Sequence, residues 1–165
     1  MTFSAPVKKA LKQLCFVAVF ILVPMLDLLT KSLVTKSLRE KPPVTLIDGI
    51  LELTYTTNTG GAFSLLDSHP AVITVIAAVL ILAGIVYVFV SKAESFGFSL
   101  SLCITLAGGI GNLIERAKIG YVTDFIRTLF IDFPVFNVAD IFVTAGVFAL
   151  AFFTLRDWHR EKKTA

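Results

Sequence analysis

The sequence predicts an all-α integral membrane protein with four transmembrane helices. Of its 165 residues, 56% are hydrophobic and only 16% are charged, whereas a soluble domain is nearer half apolar and a quarter charged. Mean hydropathy is +0.83. The predicted spans, residues 11–29, 71–90, 96–114 and 138–155, have the length of about 20 residues that crosses a bilayer. These observations exclude a soluble globular enzyme, a disordered chain and a nucleic-acid-binding module.

The first two spans differ in what precedes them. A lysine-rich segment, residues 8–12, precedes the first span as in a signal peptide, but no small-x-small cleavage site follows it. We therefore interpret it as an uncleaved first helix. The second span follows Pro70, a residue that suits the first turn of a helix.

The third and fourth spans contain features that predict helix packing and a helix start. Small residues allow close helix contact in lipid, and Ala107 and Gly111 have the spacing of such a motif. Asn137 precedes the fourth span and Asp140 follows three residues later. This spacing is close to a capping box.

Two loops, residues 32–69 and 115–137, are predicted on one face of the membrane. Within the first, residues 50–56 have the composition of a strand, and residues 58–61 are typical of a turn. The second contains an apolar stretch, residues 129–136, that we place at the lipid surface. With the termini inside, eight basic residues face the cytoplasm and seven face outside, so the charge count favours this orientation only through the basic residues beside the terminal helices.

Four acidic residues near span ends are the candidates for chemistry: Asp27, Glu115, Asp124 and Asp140. Ionisable groups near hydrocarbon are usually functional or paired. Asp27 has a structural interpretation, because Lys31 lies four residues later in the favourable order for an ion pair. Glu115 lies beside Arg116 and can be interpreted as a polar anchor at the membrane interface. Asp140 can be interpreted as part of the helix cap at Asn137. Asp124 lies in an apolar stretch with no basic residue four positions later.

Two carboxyl groups at a membrane boundary indicate aspartic-protease chemistry. Two such groups close together share one proton, and the ionised member takes a proton from an attacking water. A Ser/Lys pair, Lys31 with Ser32 or Ser64, is formally available, but its spacing does not favour it. A lipid- or ion-binding membrane protein without catalysis is the alternative from another class. A proton relay would spread acids through the membrane depth, whereas this chain concentrates them at one boundary.

Five segments, taken in order, resemble the lipoprotein signal peptidases (signal peptidase II). They are residues 27–31 (DLLTK), 58–64 (NTGGAFS), 108–116 (GGIGNLIER), 121–125 (YVTDF) and 136–140 (FNVAD). The resemblance covers residues 14–155 and includes the layout of four helices. It implies a single membrane-embedded peptidase domain over residues 1–165 with a small β-rich extracytoplasmic cradle. It also implies a mobile segment over the site.

The resemblance assigns catalysis to Asp124 and Asp140. It implies an endopeptidase of the bacterial inner membrane that removes the signal peptide of a prolipoprotein, cutting before a diacylglyceryl-modified cysteine. The expected partners are prolipoproteins and membrane lipids, with no nucleic acid, cofactor or metal, in a protein that acts as a monomer. The termini are expected in the cytoplasm and the site near the outer face. The residues expected to orient the pair or bind substrate are Asn58, Gly60, Asn112, Arg116 and Asn137.

The sequence departs from the family pattern at two positions. Glu115 stands where the family usually has Asp, which keeps the charge and adds one methylene. Gly61 stands where the family usually has Ala. Neither departure touches the predicted pair. An inactive relative of the family is a second alternative, which the intact pair argues against and Glu115 leaves open.

Overall fold

A computed structural model describes residues 4–60, 70–91 and 95–164 of the chain. Over these residues four helices are long and apolar enough to cross a membrane, and three strands form one small sheet. The elements in chain order are α1 Ala5–Leu38, β1 Val44–Ile47, β2 Leu51–Asn58, α2 Pro70–Val90, α3 Phe96–Ile119, β3 Val122–Thr128 and α4 Val138–Thr164. The predicted fold class is confirmed.

The helices extend beyond the predicted spans, into the segments that the sequence predicts as loops. Residues 32–38 continue α1 and residues 115–119 continue α3. In α1 the extension is held by packing, because Val34 and Leu38 are buried in one cluster with Phe125 of β3. α3 ends at Gly120, whose left-handed φ of 81° and N–H bond to the Arg116 carbonyl close the helix.

α3 lies at the centre of the bundle and packs against each of the other three helices. Ala107, Gly108 and Gly111 are buried along it. A Cβ atom at Gly108 would lie 2.7 Å from the carbonyl oxygen of Ala139 in α4, and a Cβ atom at Gly111 would meet Asp27 of α1. The close approach predicted from Ala107 and Gly111 is therefore confirmed.

The sheet has the order β1-β2-β3 and is antiparallel throughout. The strand predicted at residues 50–56 is found as β2, shifted toward Asn58. An irregularity between Leu53 and Thr56 of β2 lies opposite the segment of β3 that contains Asp124. Such bulges re-aim side chains at sites beside sheets. The predicted turn at residues 58–61 begins at the end of β2, and Gly61 lies outside the described residues.

The surface that surrounds the helices is apolar. On α2, the side chains of Val79, Leu80 and Leu82 are more than half exposed. Between β3 and α4, Phe130 and Ile131 are also exposed, as expected for a segment at the lipid surface. Exposed apolar surface of this extent is the surface that a bilayer covers.

Candidate active site

Asp124 is the third residue of β3, and its side chain is only 3% exposed. The pairing of β2 with β3 sets Thr56 opposite Asp124 and Asn58 opposite Val122. From there the amide Nδ2 of Asn58 donates to Asp124 Oδ2 at 2.9 Å. The sheet therefore brings together two residues that are 66 positions apart in the chain.

Asp140 lies in the first turn of α4, where the capping box predicted from the sequence is present. The backbone N–H of Asp140 donates to Asn137 Oδ1 at 3.0 Å, and the backbone N–H of Asn137 donates to Asp140 Oδ2 at 3.1 Å. These two bonds satisfy amide groups that the start of a helix leaves free.

Asn137 also joins the two predicted catalytic carboxyl groups. Phe136 exchanges backbone hydrogen bonds with Ile126 of β3, which places Asn137 beside Asp124. The Nδ2 of Asn137 donates to Asp124 Oδ1 at 2.6 Å. Asn137 is fully buried. It thus holds Asp124 by its side-chain amide and Asp140 by its backbone N–H.

Asn112 also lies beside the pair. With Asn58, Arg116 and Asn137 it forms a polar ring around Asp124 and Asp140. Its Nδ2 donates to Asp140 Oδ1 at 2.8 Å. Its Oδ1 accepts from Asn137 Nδ2 at 3.0 Å and from Lys31 Nζ at 2.6 Å. The orientation of the Asn112 amide is thus determined by donors from α1 and from the residue that precedes α4.

Lys31 belongs to the site, although the sequence indicated only its pairing with Asp27. That ion pair is confirmed, with Nζ 2.7 Å from Asp27 Oδ2, and a second carboxylate, Glu115, lies 3.3 Å away. Lys31 is 2% exposed. The Oδ1 of Asp27 accepts from the backbone N–H of Ala139 at 2.9 Å, which fixes the start of α4 to α1.

Glu115 is bonded to β3 as well as to Lys31. Its Oε1 accepts from the hydroxyl of Thr123 at 2.6 Å, and its Oε2 accepts from the backbone N–H of Thr123 at 2.8 Å. The predicted role of a satisfied polar anchor is confirmed, with partners that the sequence did not indicate.

Arg116 and Gly60 also meet at the site. Arg116 Nη2 donates to the carbonyl oxygen of Gly60 at 2.6 Å. The contact ties α3 to the end of the β2 segment, beyond which residues 61–69 lie outside the described residues. Ser64 falls in that range. All seven residues predicted for the site are therefore in the same region: Asn58, Gly60, Asn112, Arg116, Asp124, Asn137 and Asp140.

The Ser/Lys alternative with Ser32 does not fit this geometry, and Ser64 lies outside the described residues. Lys31 is buried among Asp27, Glu115 and Asn112, whereas Ser32 is exposed. The Nζ of Lys31 is already engaged by Asp27, Glu115 and the amide oxygen of Asn112. Within residues 4–60, 70–91 and 95–164, His, Cys, Asp and Glu form no group of three that could hold a metal ion.

A cavity of about 750 Å³ opens onto the two aspartates and is large enough for an extended peptide segment. One wall is polar and carries the aspartates and their amide partners. The other walls are apolar and come from α2, α4 and the segment before α4, with Ile73, Phe133, Ile141 and Phe148 among them. A substrate with an apolar body and a reacting polar bond fits this division.

Burial governs the ionisation of Asp124. Removal from water raises the pKa of Asp124 from the usual 3.8 to about 6. The nearby charge of Asp140 also raises this pKa, whereas the hydrogen bond from Asn58 lowers it. A carboxyl group in this range holds or releases a proton near neutral pH. Together with a second carboxyl group bonded to the same asparagine, it can perform acid–base chemistry on a bound water.

Comparison with known proteins gives one consistent result. Residues 19–156 match the family model described as signal peptidase (SPase) II. The chain is 42% identical to the lipoprotein signal peptidase of Caldicellulosiruptor bescii over 83% of this chain and 88% of the relative. It is 35% identical to that of Streptococcus pneumoniae over 89% and 97%.

Solved structures agree with the sequence relatives. A bacterial membrane enzyme solved by the in meso method at 2.3 Å resolution superposes with a TM-score of 0.79 and 27% identity, over 86% of this chain and 88% of that one. A second such structure, at 1.9 Å, gives a TM-score of 0.77. With its four spanning helices and these relatives, the chain is a multi-pass bacterial membrane protein that belongs to the signal peptidase II family of peptidases.

Proposed function

We propose that this protein is an aspartic endopeptidase that removes the signal peptide from diacylglyceryl-modified prolipoproteins, cutting before the lipidated cysteine. Asp124 and Asp140 are the proposed catalytic residues. The observation that carries the proposal is the position of Asn137, which donates to Asp124 through its side chain and to Asp140 through its backbone. The lipoprotein signal peptidases to which the chain is similar supply the substrate class.

The chemistry requires one proton shared by two carboxyl groups. The ionised aspartate removes a proton from a water, which attacks the scissile carbonyl carbon, while the protonated aspartate donates a hydrogen bond to the carbonyl oxygen. Collapse of the tetrahedral intermediate breaks the C–N bond, and the leaving amine takes a proton from the acid. No cofactor takes part in these steps.

The charge balance of the polar core supports a shared proton. Four carboxyl groups, Asp27, Glu115, Asp124 and Asp140, surround two cations, Lys31 and Arg116. Lys31 lies against Asp27 and Glu115, and within the described residues no salt bridge joins a cation to the dyad of Asp124 and Asp140, which leaves an excess of negative charge at the dyad. One proton on the dyad lowers this excess, because like charges in a buried site are costly.

The shape of the cavity supports entry of the substrate from the bilayer. Its apolar walls include Ile73 of α2 and Phe148 of α4, and both helices present apolar side chains outward. A signal helix reaches the aspartates between these walls, while the acyl chains of the cysteine that follows it stay in the lipid. The remaining ring residues, Asn112 and Arg116, orient the pair and the peptide backbone.

The proposed topology rests on the four crossings and on the basic residues beside the terminal helices. Asp140 lies in the first turn of α4, so the dyad is at the end of the bundle away from the C-terminus. The basic residues Arg156, Arg160, Lys162 and Lys163 lie at the opposite end, and we assign that end to the cytoplasm. The site then lies near the extracytoplasmic face, where secreted prolipoproteins emerge.

The test is cleavage of a diacylglyceryl-modified prolipoprotein by the purified full chain in detergent, followed as a gel shift. Wild type is expected to cleave, and Asp124→Asn and Asp140→Asn are expected to be inactive while remaining folded. Mass spectrometry of the product identifies the new N-terminus. Cleavage retained in Asp124→Asn, or a product that does not begin at the lipidated cysteine, contradicts the proposal.

A further inference from the structure

The contact between Glu115 and Thr123 lies next to the dyad but does not touch the cavity. Glu115, near the end of α3, holds both the hydroxyl and the backbone N–H of Thr123. Thr123 immediately precedes Asp124 in β3 and is 1% exposed. A bidentate contact of this kind fixes the backbone direction as well as the side chain.

We propose that Glu115 is a positioning residue for Asp124, acting through Thr123 and oriented by Lys31. The inference rests on the proposed function, because it assumes that Asp124 is catalytic. Lys31 Nζ contacts Glu115 Oε2 at 3.3 Å and donates to Asn112 Oδ1 at 2.6 Å. One buried ammonium group therefore fixes the carboxylate that holds the Asp124 side of the dyad and the amide that holds Asp140.

The longer side chain at position 115 is what this contact uses. Glu115 reaches from α3 across the turn at Gly120 to β3, with one oxygen for each donor of Thr123. The same carboxylate keeps Oε2 within reach of Lys31. A side chain shorter by one methylene cannot keep all three contacts without moving α3 or β3.

A purely structural role is the competing explanation, because the contact also closes the connection between α3 and β3. The two explanations differ in what they predict for turnover. If the contact only stabilises the fold, its loss lowers the amount of folded protein and leaves the rate per folded molecule unchanged. If it positions Asp124, its loss lowers kcat in the folded molecules with KM preserved.

Thr123→Val is the most selective variant, since it removes only the hydroxyl and keeps the shape of the side chain. Thr128→Val is the matched control on the same strand, where the Thr128 hydroxyl is buried with no hydrogen-bond partner among the described residues. Thr123→Ser retains the hydroxyl and tests rescue. Each variant is assayed on the diacylglyceryl-modified prolipoprotein, with rates normalised to the folded fraction.

We expect kcat of Thr123→Val to fall between about 10-fold and 100-fold, the range expected for a small displacement of a catalytic group. KM is expected to stay within roughly twofold. Thr128→Val and Thr123→Ser are expected to remain near wild type. Equal kcat in Thr123→Val and Thr128→Val overturns the inference.

A second variant covers the case in which Thr123→Val does not fold. Glu115→Asp keeps the charge that pairs with Lys31 and shortens the reach to Thr123, so it is expected to lower kcat in the same manner. Unchanged kcat in Glu115→Asp overturns the inference. Failure of the proposed function is distinguishable, because it is marked by cleavage in Asp124→Asn, whatever Thr123→Val does.

Discussion

Replacing Lys31 with methionine tests the energetic weight of the buried polar core. Methionine has nearly the same length and lacks the ammonium group. The change removes contacts of 2.7 Å to Asp27, 3.3 Å to Glu115 and 2.6 Å to Asn112, all at a residue that is 2% exposed. Two carboxylates then remain buried without their cation.

The magnitude follows from burial. Removing one partner of a buried ion pair costs about 3–5 kcal/mol, and here a single residue serves two carboxylates. For a chain of this length about 2–4 °C of melting temperature corresponds to 1 kcal/mol. We therefore expect a decrease in melting temperature of roughly 6–20 °C.

The chain provides its own control. Arg127 pairs with Glu52 at 3.1 Å, but the arginine side chain is 53% exposed, and exposed pairs contribute about 0–1 kcal/mol. Thermal unfolding in detergent at neutral pH compares Lys31→Met with Arg127→Met. The double variant Asp27→Asn with Lys31→Met should recover part of the loss, because it removes one stranded carboxylate. If Lys31→Met is no less stable than Arg127→Met, the reasoning is refuted.

Further predictions concern helix packing and pH. Gly111→Ala places a Cβ against Asp27 and is expected to lower the free energy of unfolding by about 1–3 kcal/mol, measured by thermal unfolding. Gly109→Ala is the control and should be tolerated, because its nearest contact is a flexible side chain at 3.2 Å. Equal losses of stability in the two variants would contradict the packing. Cleavage should fall as the pH rises through about 6, the pKa of Asp124, because the pair then loses the proton that it has to share; the measurement is kcat/KM against pH. Asn58→Ala should move this alkaline limb to higher pH, because the Asn58 hydrogen bond lowers the pKa of Asp124; a shift to lower pH would contradict the assignment.

Composition was enough to predict the helices but not all of their ends. Hydropathy locates the apolar blocks, because a spanning helix has to be apolar along its length. The continuation of α1 to Leu38 depends on burial of Val34 and Leu38 against Phe125. That contact joins residues about ninety positions apart, and no local pattern indicates it.

The strands were harder to predict than the helices, because two of the three lack a recognisable pattern in the sequence. β2 was predicted from its composition, but β3 lacks the alternation of a half-buried strand, since Val122, Thr123, Asp124 and Phe125 are all buried. A strand covered on both faces cannot be told from other apolar segments by periodicity. β1 is four residues long and exposed, too short for a pattern to be visible.

The residues of the site were predicted from two sources. Local spacing indicated the capping box at Asn137 and the pair Asp27–Lys31, and the family resemblance supplied the rest of the ring. Neither source indicated that Lys31 contacts Asn112 or that Glu115 contacts Thr123, because these bonds depend on how α1, α3 and β3 pack. The contacts that link the ring to the scaffold therefore required the structure.

Asn137 shows that the helix cap and the site are one arrangement. Its Oδ1 is occupied by the N–H of Asp140, which turns Nδ2 toward Asp124 and Asn112, so the cap determines the direction of the amide. Asn137→Ser keeps a capping oxygen and Asn137→Ala does not, a difference of about 1 kcal/mol in unfolding. Neither variant retains the amide Nδ2 that donates to Asp124 and Asn112, so both should lose cleavage to a similar extent. Activity that follows the difference in stability instead would separate the cap from the site and contradict this coupling.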